Sequence, residues 1–443
     1  MTSSTLDSKI WAIAWPAIIA NISIPLLGLA DAALLGHLDS PLHLAAVAVG
    51  AAVMSFLYWG FSFLRMGTTG EVARATGAGD EARALLILGR ATLVALALAA
   101  LLFLLRSPLL QLGLLMMDPA PALRELAHDY AQLRLYSAPA VLATYAVVGW
   151  FIGHQNTRWP MLIVIVTNVA NIALDAWFIL GLDMASRGAA LATVLAEYLG
   201  LAVAIVGLLR QPLPALDANF FQALCALRAY VSLLGSNLHL FFRTLALLFA
   251  FAFFTAAGEK LGTDIVAANA IMMQFLLFAA FAMDGFAYAA EGLAGEALGG
   301  GDETRFYQVC RRCALWTGVS ALAISLMILL GREWLYPLLT ALQPVREVMR
   351  SHSLWLVLLP LVAAPSYLLD GLFIGAGATR AMMLTMVFSV LAIYLPVWWL
   401  TTGLGNHGLW LSFTLFNGAR GASLGVVFAY FSRHHRWRRW SDP

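Results

Sequence analysis

The chain has 443 residues, of which 61% are hydrophobic and only 11% charged, with a formal net charge of +2. An ordinary soluble protein carries about 25% charged residues, so there is too little charge to coat a globule of this size, and the chain reads as an integral membrane protein. The near-neutral charge, with no basic stripe ahead of the C-terminus, excludes a nucleic-acid binder, and three cysteines (Cys225, Cys310, Cys313) cannot build a disulfide framework.

Apolar windows predict twelve membrane helices, near 10–35, 43–64, 85–106, 127–150, 160–181, 188–209, 233–256, 265–289, 312–331, 353–375, 382–402 and 407–431. The first apolar run is too long for a signal-peptide core and reads as a retained helix. The one connector of any length is 210–230, RQPLPALDANFFQALCALRAY, where two prolines and several charges interrupt the apolar pattern. The expected organisation is therefore a six-helix lobe over 1–209, a cytoplasmic connector over 210–230, a second six-helix lobe over 231–431 and a basic cytoplasmic tail over 432–443. With both termini cytoplasmic, Lys and Arg number roughly 16 on the cytoplasmic side against roughly 8 on the other, with Arg243 and Arg420 placed within spans. The tail RHHRWRRW (Arg433 to Trp440) then suits an anionic leaflet surface, as an orientation anchor rather than a specific lipid site.

The two halves repeat each other at an offset of about 220 residues. GWFIGHQNTRWPM (Gly149 to Met161) returns as GLFIGAGATRAMM (Gly371 to Met383), and ATGAGDEAR (Ala75 to Arg83) as ALGGGDETR (Ala297 to Arg305). Six helices separate equivalent points, and six is even, so the copies enter the membrane from the same side and form a parallel repeat. Two such bundles around a central cavity are the architecture of a rocking transporter, although duplication alone can also produce a repeat.

A charge in the middle of a span costs at least ~2.5–3.5 kcal/mol and is a functional candidate by default. Helix 1 carries Asp31; helix 5 carries Asn168, Asn171 and Asp175, spaced so that they share one face; helix 6 adds Thr193 and Glu197, one turn apart. The matching stretch of helix 11, MVFSVLAIYLPVWWL, has no acid or amide, so the first half holds a private polar cluster. Two carboxylates in one poorly hydrated pocket repel each other, and such a pair can hold a proton near neutral pH. The plain alternative is that Asp31 and Asp175 sit at an interface and are solvated, and that Glu197 only bonds neighbouring helices. Pro16, about four turns before Asp31, and Pro25 between them are natural bending points of helix 1, which would couple protonation of Asp31 to a bend; proline is also common in membrane helices without such a role. The second half offers Arg243, Asp284, Glu291 and Asp370. An internal ion pair of Arg243 with Asp284 or Asp370 is the leading reading, with Asp370 also open as a cation or substrate contact.

Other signals are weak. The Cys310-x-x-Cys313 pair has no second pair or histidine partner, the nine histidines show no metal-site spacing, and Gly299 to Gly301 is followed by Asp302 rather than by the Lys-Ser/Thr of a phosphate loop. No metal and no cofactor is expected, no catalytic constellation is visible, and the energy for transport must come from an ion gradient.

Taken together, Pro16 and Asp31 in helix 1, the Asn171-x-x-x-Asp175 pattern and GAALAT ending in Thr193 resemble the multidrug and toxic compound extrusion (MATE) family. IPLLGLADAALLGHLDSP, LRMGTTG, MDGFAYAAEG, YLLDGLFIGA and GNHGLWL resemble its DinF branch, over essentially the whole chain. The resemblance implies a V-shaped, all-α, two-lobe antiporter of the bacterial inner membrane, expected as a monomer in lipid. It would export small organic, often cationic, compounds against a proton or sodium gradient. It further implies that Asp31, Asn171, Asp175 and Thr193 form the coupling-ion site of the first lobe, with helix 1 bending at Pro16. Where the sodium-coupled NorM branch has a helix 7 glutamate, this chain carries Arg243, which favours protons at the first lobe; Asp370 matches the family's helix 10 aspartate and keeps sodium as the alternative. A proton bound about a thousandfold more tightly in one conformation supplies ~4 kcal/mol, whereas a near-complete population reversal needs ~5.5 kcal/mol. One aspartate falls short, and Asp31 and Asp175 titrating together close the gap. A flippase for a lipid-linked intermediate would want a cavity ringed by cationic groups, and Arg243 is the only arginine read as clearly mid-span.

Overall fold

The computed structural model describes residues 3–36, 40–215 and 218–437, and these are helical, with no strand among them. Residues 37–39 of the helix 1 motif and 438–443 at the end of the basic tail lie outside the described residues. In chain order the helices are α1 Ser3–Leu35, α2 Pro41–Gly60, α3 Phe63–Gly77, α4 Glu81–Leu104, α5 Arg106–Met117, α6 Pro121–Arg134, α7 Ala138–Gly153, α8 Arg158–Asp175, α9 Ala185–Leu209, α10 Ala218–Leu224, α11 Leu227–Glu259, α12 Thr263–Gly299, α13 Glu303–Leu339, α14 Gln343–Ala376, α15 Thr379–Phe388, α16 Leu395–Thr401 and α17 Asn406–Arg433. Several of these join into single spans: α2 with α3, α6 with α7, and α15 with α16 through a π-helical turn. Among the described residues, eleven segments are long and apolar enough to cross a membrane. The twelfth span is α17, whose apolar run is diluted by Asn417 and Arg420.

Two connections differ from the sequence expectation. The link between the third and fourth spans, not singled out among the connectors, contains α5. Its 12 residues are mostly apolar, but at 1.5 Å per residue they reach only ~18 Å, too short to cross. The 210–230 connector is shorter than expected, because α11 already begins at Leu227.

By packing, the chain divides into two compact units, Ile19–Leu233 and the pair of segments Met1–Ile18 and Leu234–Pro443. The first lobe expected over 1–209 thus loses the start of α1. That start is held by α12 and α13: the Asp7 carboxylate accepts from Arg312 Nε (2.8 Å), from Arg312 Nη2 and from Trp316 Nε1 (3.1 Å), while the Trp11 ring meets Phe286 and Trp316 edge-on. The helix itself is unbroken through Pro16 and Pro25. Its packing partner changes between Ile18 and Ile19, immediately after Pro16.

The sequence repeat has a packing explanation that holds register by register. Gly79 and Gly301 both adopt positive φ (74° and 73°), a conformation only glycine enters without strain. Each is followed by an aspartate that caps the next helix: Asp80 accepts from Arg83 N (2.9 Å) and Asp302 from Arg305 N (2.8 Å). The Gly-x-Phe-Ile-Gly motifs are small-x-x-x-small seams on which helix backbones come close. A Cβ on Gly149 would lie 2.5 Å from the Arg65 carbonyl oxygen of α3, and one on Gly371 would lie 2.5 Å from the Ala287 carbonyl oxygen of α12. Because the obstacle is backbone, it cannot rotate away. Gly371→Ala is expected to cost about 1–3 kcal/mol through overpacking and to lower the thermal midpoint in detergent. Gly318→Ala, with nothing within 4 Å of the added Cβ, leaves the midpoint unchanged or raises it; equal midpoints for the two variants would refute the seam.

The core of the second unit is aromatic, with Phe254, Tyr394, Trp410, Phe413 and Phe416 packed together. A reciprocal amide pair, Asn269 and Asn406 (2.8 and 3.0 Å), also accepts from Trp410 Nε1 (2.9 Å), which gives GNHGLWL a structural role. Within the described part of the tail, Trp437 packs into the protein. Trp437 is only 1% exposed, boxed by Phe306, Phe373, Phe428 and Phe431. Its indole N–H donates to Ser432 Oγ (3.0 Å). Four aromatic rings from the same protein remove more of the indole from water than a leaflet surface would.

Candidate functional site

The polar cluster of the first unit forms where α1, α8 and α9 meet. Asp175 is the last residue of α8, directly before a π-helical turn over Ala176–Gly181; such turns widen the helix and recur at functional sites. Asn171 and Asp175 are fully buried. Asp31 on α1 is half-buried, and its carboxyl comes within hydrogen-bonding reach of that of Asp175. Thr193 on α9 donates to the Ala189 carbonyl (2.9 Å). The Asn171 amide lies between Asp175 and Thr193. With its nitrogen toward Asp175 Oδ2 (2.9 Å), its oxygen accepts from the Thr193 backbone N–H (3.2 Å) and lies 3.0 Å from the Thr193 hydroxyl oxygen. That orientation satisfies a carboxylate, whose oxygens only accept. Asp175 Oδ1 is buried with no donor among the described residues, and a proton held between the two carboxyls would supply one.

Asn168 and Glu197 do not join this bonding set. Asn168 instead ties α8 to α1, donating to Ser23 Oγ (3.0 Å) and to the Ser23 carbonyl (3.2 Å). Glu197 is half-buried and its charge faces Arg134. Arg134, at the end of α6, is the residue that reading the sequence missed. Its charge also acts on Asp31, Asp175, Tyr58 and Tyr130. The signal was available: Arg134 falls inside the predicted span 127–150, and the rule that singled out Arg243 applies to it equally.

In the second unit Asp370 (α14) is bound by two guanidinium groups. Its Oδ2 accepts from Arg243 Nη2 and from Arg420 Nη2 (2.9 Å). Arg420 also donates to Asn417 Oδ1 (3.0 Å) and lies beside the rings of Phe416 and Tyr367. Of the two partners offered for Arg243, the structure places Asp370 against it, and Arg420 shares the acid. Asp284 is half-buried on α12 and its charge reaches Tyr367, as do those of Arg420, Asp370 and Arg243. Arg243 is therefore not alone as a buried intramembrane arginine, since Arg420 is 3% exposed.

These two polar centres lie one in each half of a duplicated helical chain. The MatE family profile matches residues 16–177 and 240–400, one window in each half of the repeat. The chain belongs to the MatE family. It is 41% identical over 441 residues to DNA damage-inducible protein F of Escherichia coli (strain K12), covering 99% of this chain and 95% of that one. A probable multidrug resistance protein NorM of Thermotoga maritima is 23% identical over 419 residues, 90% of this chain and 87% of that one. Among solved structures, a mutant of the Vibrio cholerae MATE transporter VcmN superposes with a TM-score of 0.85 at 24% identity, covering 98% of this chain and 99% of that chain. The molecule is a multi-pass membrane transporter with the MATE fold, not an enzyme.

Proposed function

We propose that this MatE protein is a secondary antiporter that exports small organic, cationic compounds in exchange for protons, by alternating access. The observation that carries the reading is the apposed pair Asp31 and Asp175, seated on the Asn171 and Thr193 hydrogen bonds with one buried carboxyl oxygen lacking a donor. A shared proton would supply that donor, and its loss leaves two like charges in a largely buried pocket, a change large enough to favour a different conformation. The change in α1 packing just after Pro16 supports a bend there as the mechanical output. Sodium at Asp370 is disfavoured, since two guanidinium groups already neutralise its carboxylate and would repel a further cation. The name of the Thermotoga maritima relative supports drugs as cargo. The working arrangement is a monomer in the bacterial inner membrane with both termini cytoplasmic.

The test is flux of a fluorescent organic cation in proteoliposomes with proton and sodium gradients imposed in turn. Transport against the dye gradient is expected with the proton gradient alone. Transport driven by sodium at constant pH would overturn the proposal.

A further inference from the structure

We propose that Arg134 is the internal counter-cation of the aspartate pair: its guanidinium is shared between Glu197 and the Asp31–Asp175 carboxyls and takes up the negative charge when the pair gives its proton to water. The inference rests on the reading of that pair as the proton site and adds the residue that sets when the proton leaves.

The backbone of Arg134 is pinned. Its carbonyl accepts from Tyr58 Oη (3.1 Å) and from Ser137 Oγ (2.8 Å), so the side chain starts from a fixed point at the end of α6. Its Nε and Nη1 are buried and have no hydrogen-bond partner among the described residues. A half-buried cation with two buried, unused donors is costly unless anions offset its charge. The end of α6 lies against α9 here, where Tyr198, next to Glu197, donates to the Tyr136 carbonyl, and the charge of Arg134 acts on Glu197 on α9, Asp31 on α1 and Asp175 on α8. The phenols of Tyr58 on α2 and Tyr130 on α6 complete the titratable surroundings. Neighbouring groups are engaged elsewhere. Arg187 on α9 donates to Asp129 on α6 (2.8 Å), Tyr198 donates to the Tyr136 carbonyl (3.0 Å), and His43 is bonded to Ser186 (3.0 Å).

One guanidinium thus stands against three carboxyl groups. While the aspartate pair holds its proton, Glu197 is the stronger partner. Once the proton departs, the pair carries two negative charges, and the same guanidinium is drawn to it. No bond other than that of the proton is made or broken. The conserved quantity is charge: a mobile cation leaves and a tethered one moves into its place. Removing the tethered cation therefore makes the pair hold its proton more tightly, and removing the competing Glu197 charge makes it let go more readily.

The test is the pH dependence of organic-cation export by the full-length protein in proteoliposomes, for the parent, Arg134→Gln, Arg134→Lys and Glu197→Gln. Arg134→Gln is expected to move the half-maximal pH upward by about one unit, a tenfold lower proton concentration. Glu197→Gln is expected to move it downward, and Arg134→Lys to stay near the parent. Midpoints that do not move, or that move in the same direction for Arg134→Gln and Glu197→Gln, overturn the inference whatever the rates. Should Arg134→Gln fail to fold, an unmoved midpoint in Glu197→Gln is sufficient to overturn it. Proton-driven export that survives Asp31→Asn sinks the underlying reading instead, and that result is obtained with Arg134 and Glu197 intact.

Discussion

Replacing Asp31 by asparagine is expected to reduce proton-driven export to the background of protein-free vesicles, while the protein accumulates and elutes as the parent does. The amide fills the same space and still offers an oxygen and a nitrogen to the pocket, so folding has little reason to suffer. What it cannot do is gain and lose a proton. Without a proton held about a thousandfold differently in two conformations, the ~4 kcal/mol that biases the cycle disappears, and the driven flux falls by at least ~100-fold. Asp175→Asn is expected to behave alike if the two carboxyls share one proton as proposed. Flux in Asp31→Asn within a factor of about two of the parent would mean that the pair does not couple the cycle, however closely the two groups sit.

Legibility of this molecule varies with the physical cause of each feature. Membrane spans were plain because apolar length is a linear property of the chain, and the repeat was plain because both copies must place glycine against backbone at matching points, Gly149 on Arg65 and Gly371 on Ala287. The apposition of Asp31 with Asp175 was legible from the cost of intramembrane charge together with the family resemblance. Arg134 was not recognised, because inside PALRELAHDYAQLR, a comparatively polar stretch, one more charge does not stand out as it does in LHLFFRTLALL. The burial of Trp437 was invisible for another reason. Composition says that a tryptophan among arginines suits a membrane surface, whereas the rings that enclose it come from positions 306, 373, 428 and 431, which only the fold assembles. Likewise α5 has the composition of a span and only its length disqualifies it.

The second large effect is expected at Asp370, and it is one of stability rather than coupling. Its carboxylate is the shared acceptor of Arg243 and Arg420, all three being at most 8% exposed. Asp370→Asn leaves two guanidinium groups facing each other with no anion between them. Breaking a buried ion pair from one side costs about 3–5 kcal/mol, a large share of the ~5–15 kcal/mol that a folded domain typically has. The variant should therefore yield little monodisperse protein and show a much lower thermal midpoint. Pairing it with Arg243→Gln removes one of the stranded charges and should recover part of the loss, the coupling expected of residues in one network. This separates the two centres by phenotype: asparagine at position 31 gives a folded protein that does not couple, and asparagine at position 370 gives one that does not fold well. A stable Asp370→Asn protein with lost transport would instead make Asp370 a direct contact for cargo or cation, and would return sodium coupling to consideration.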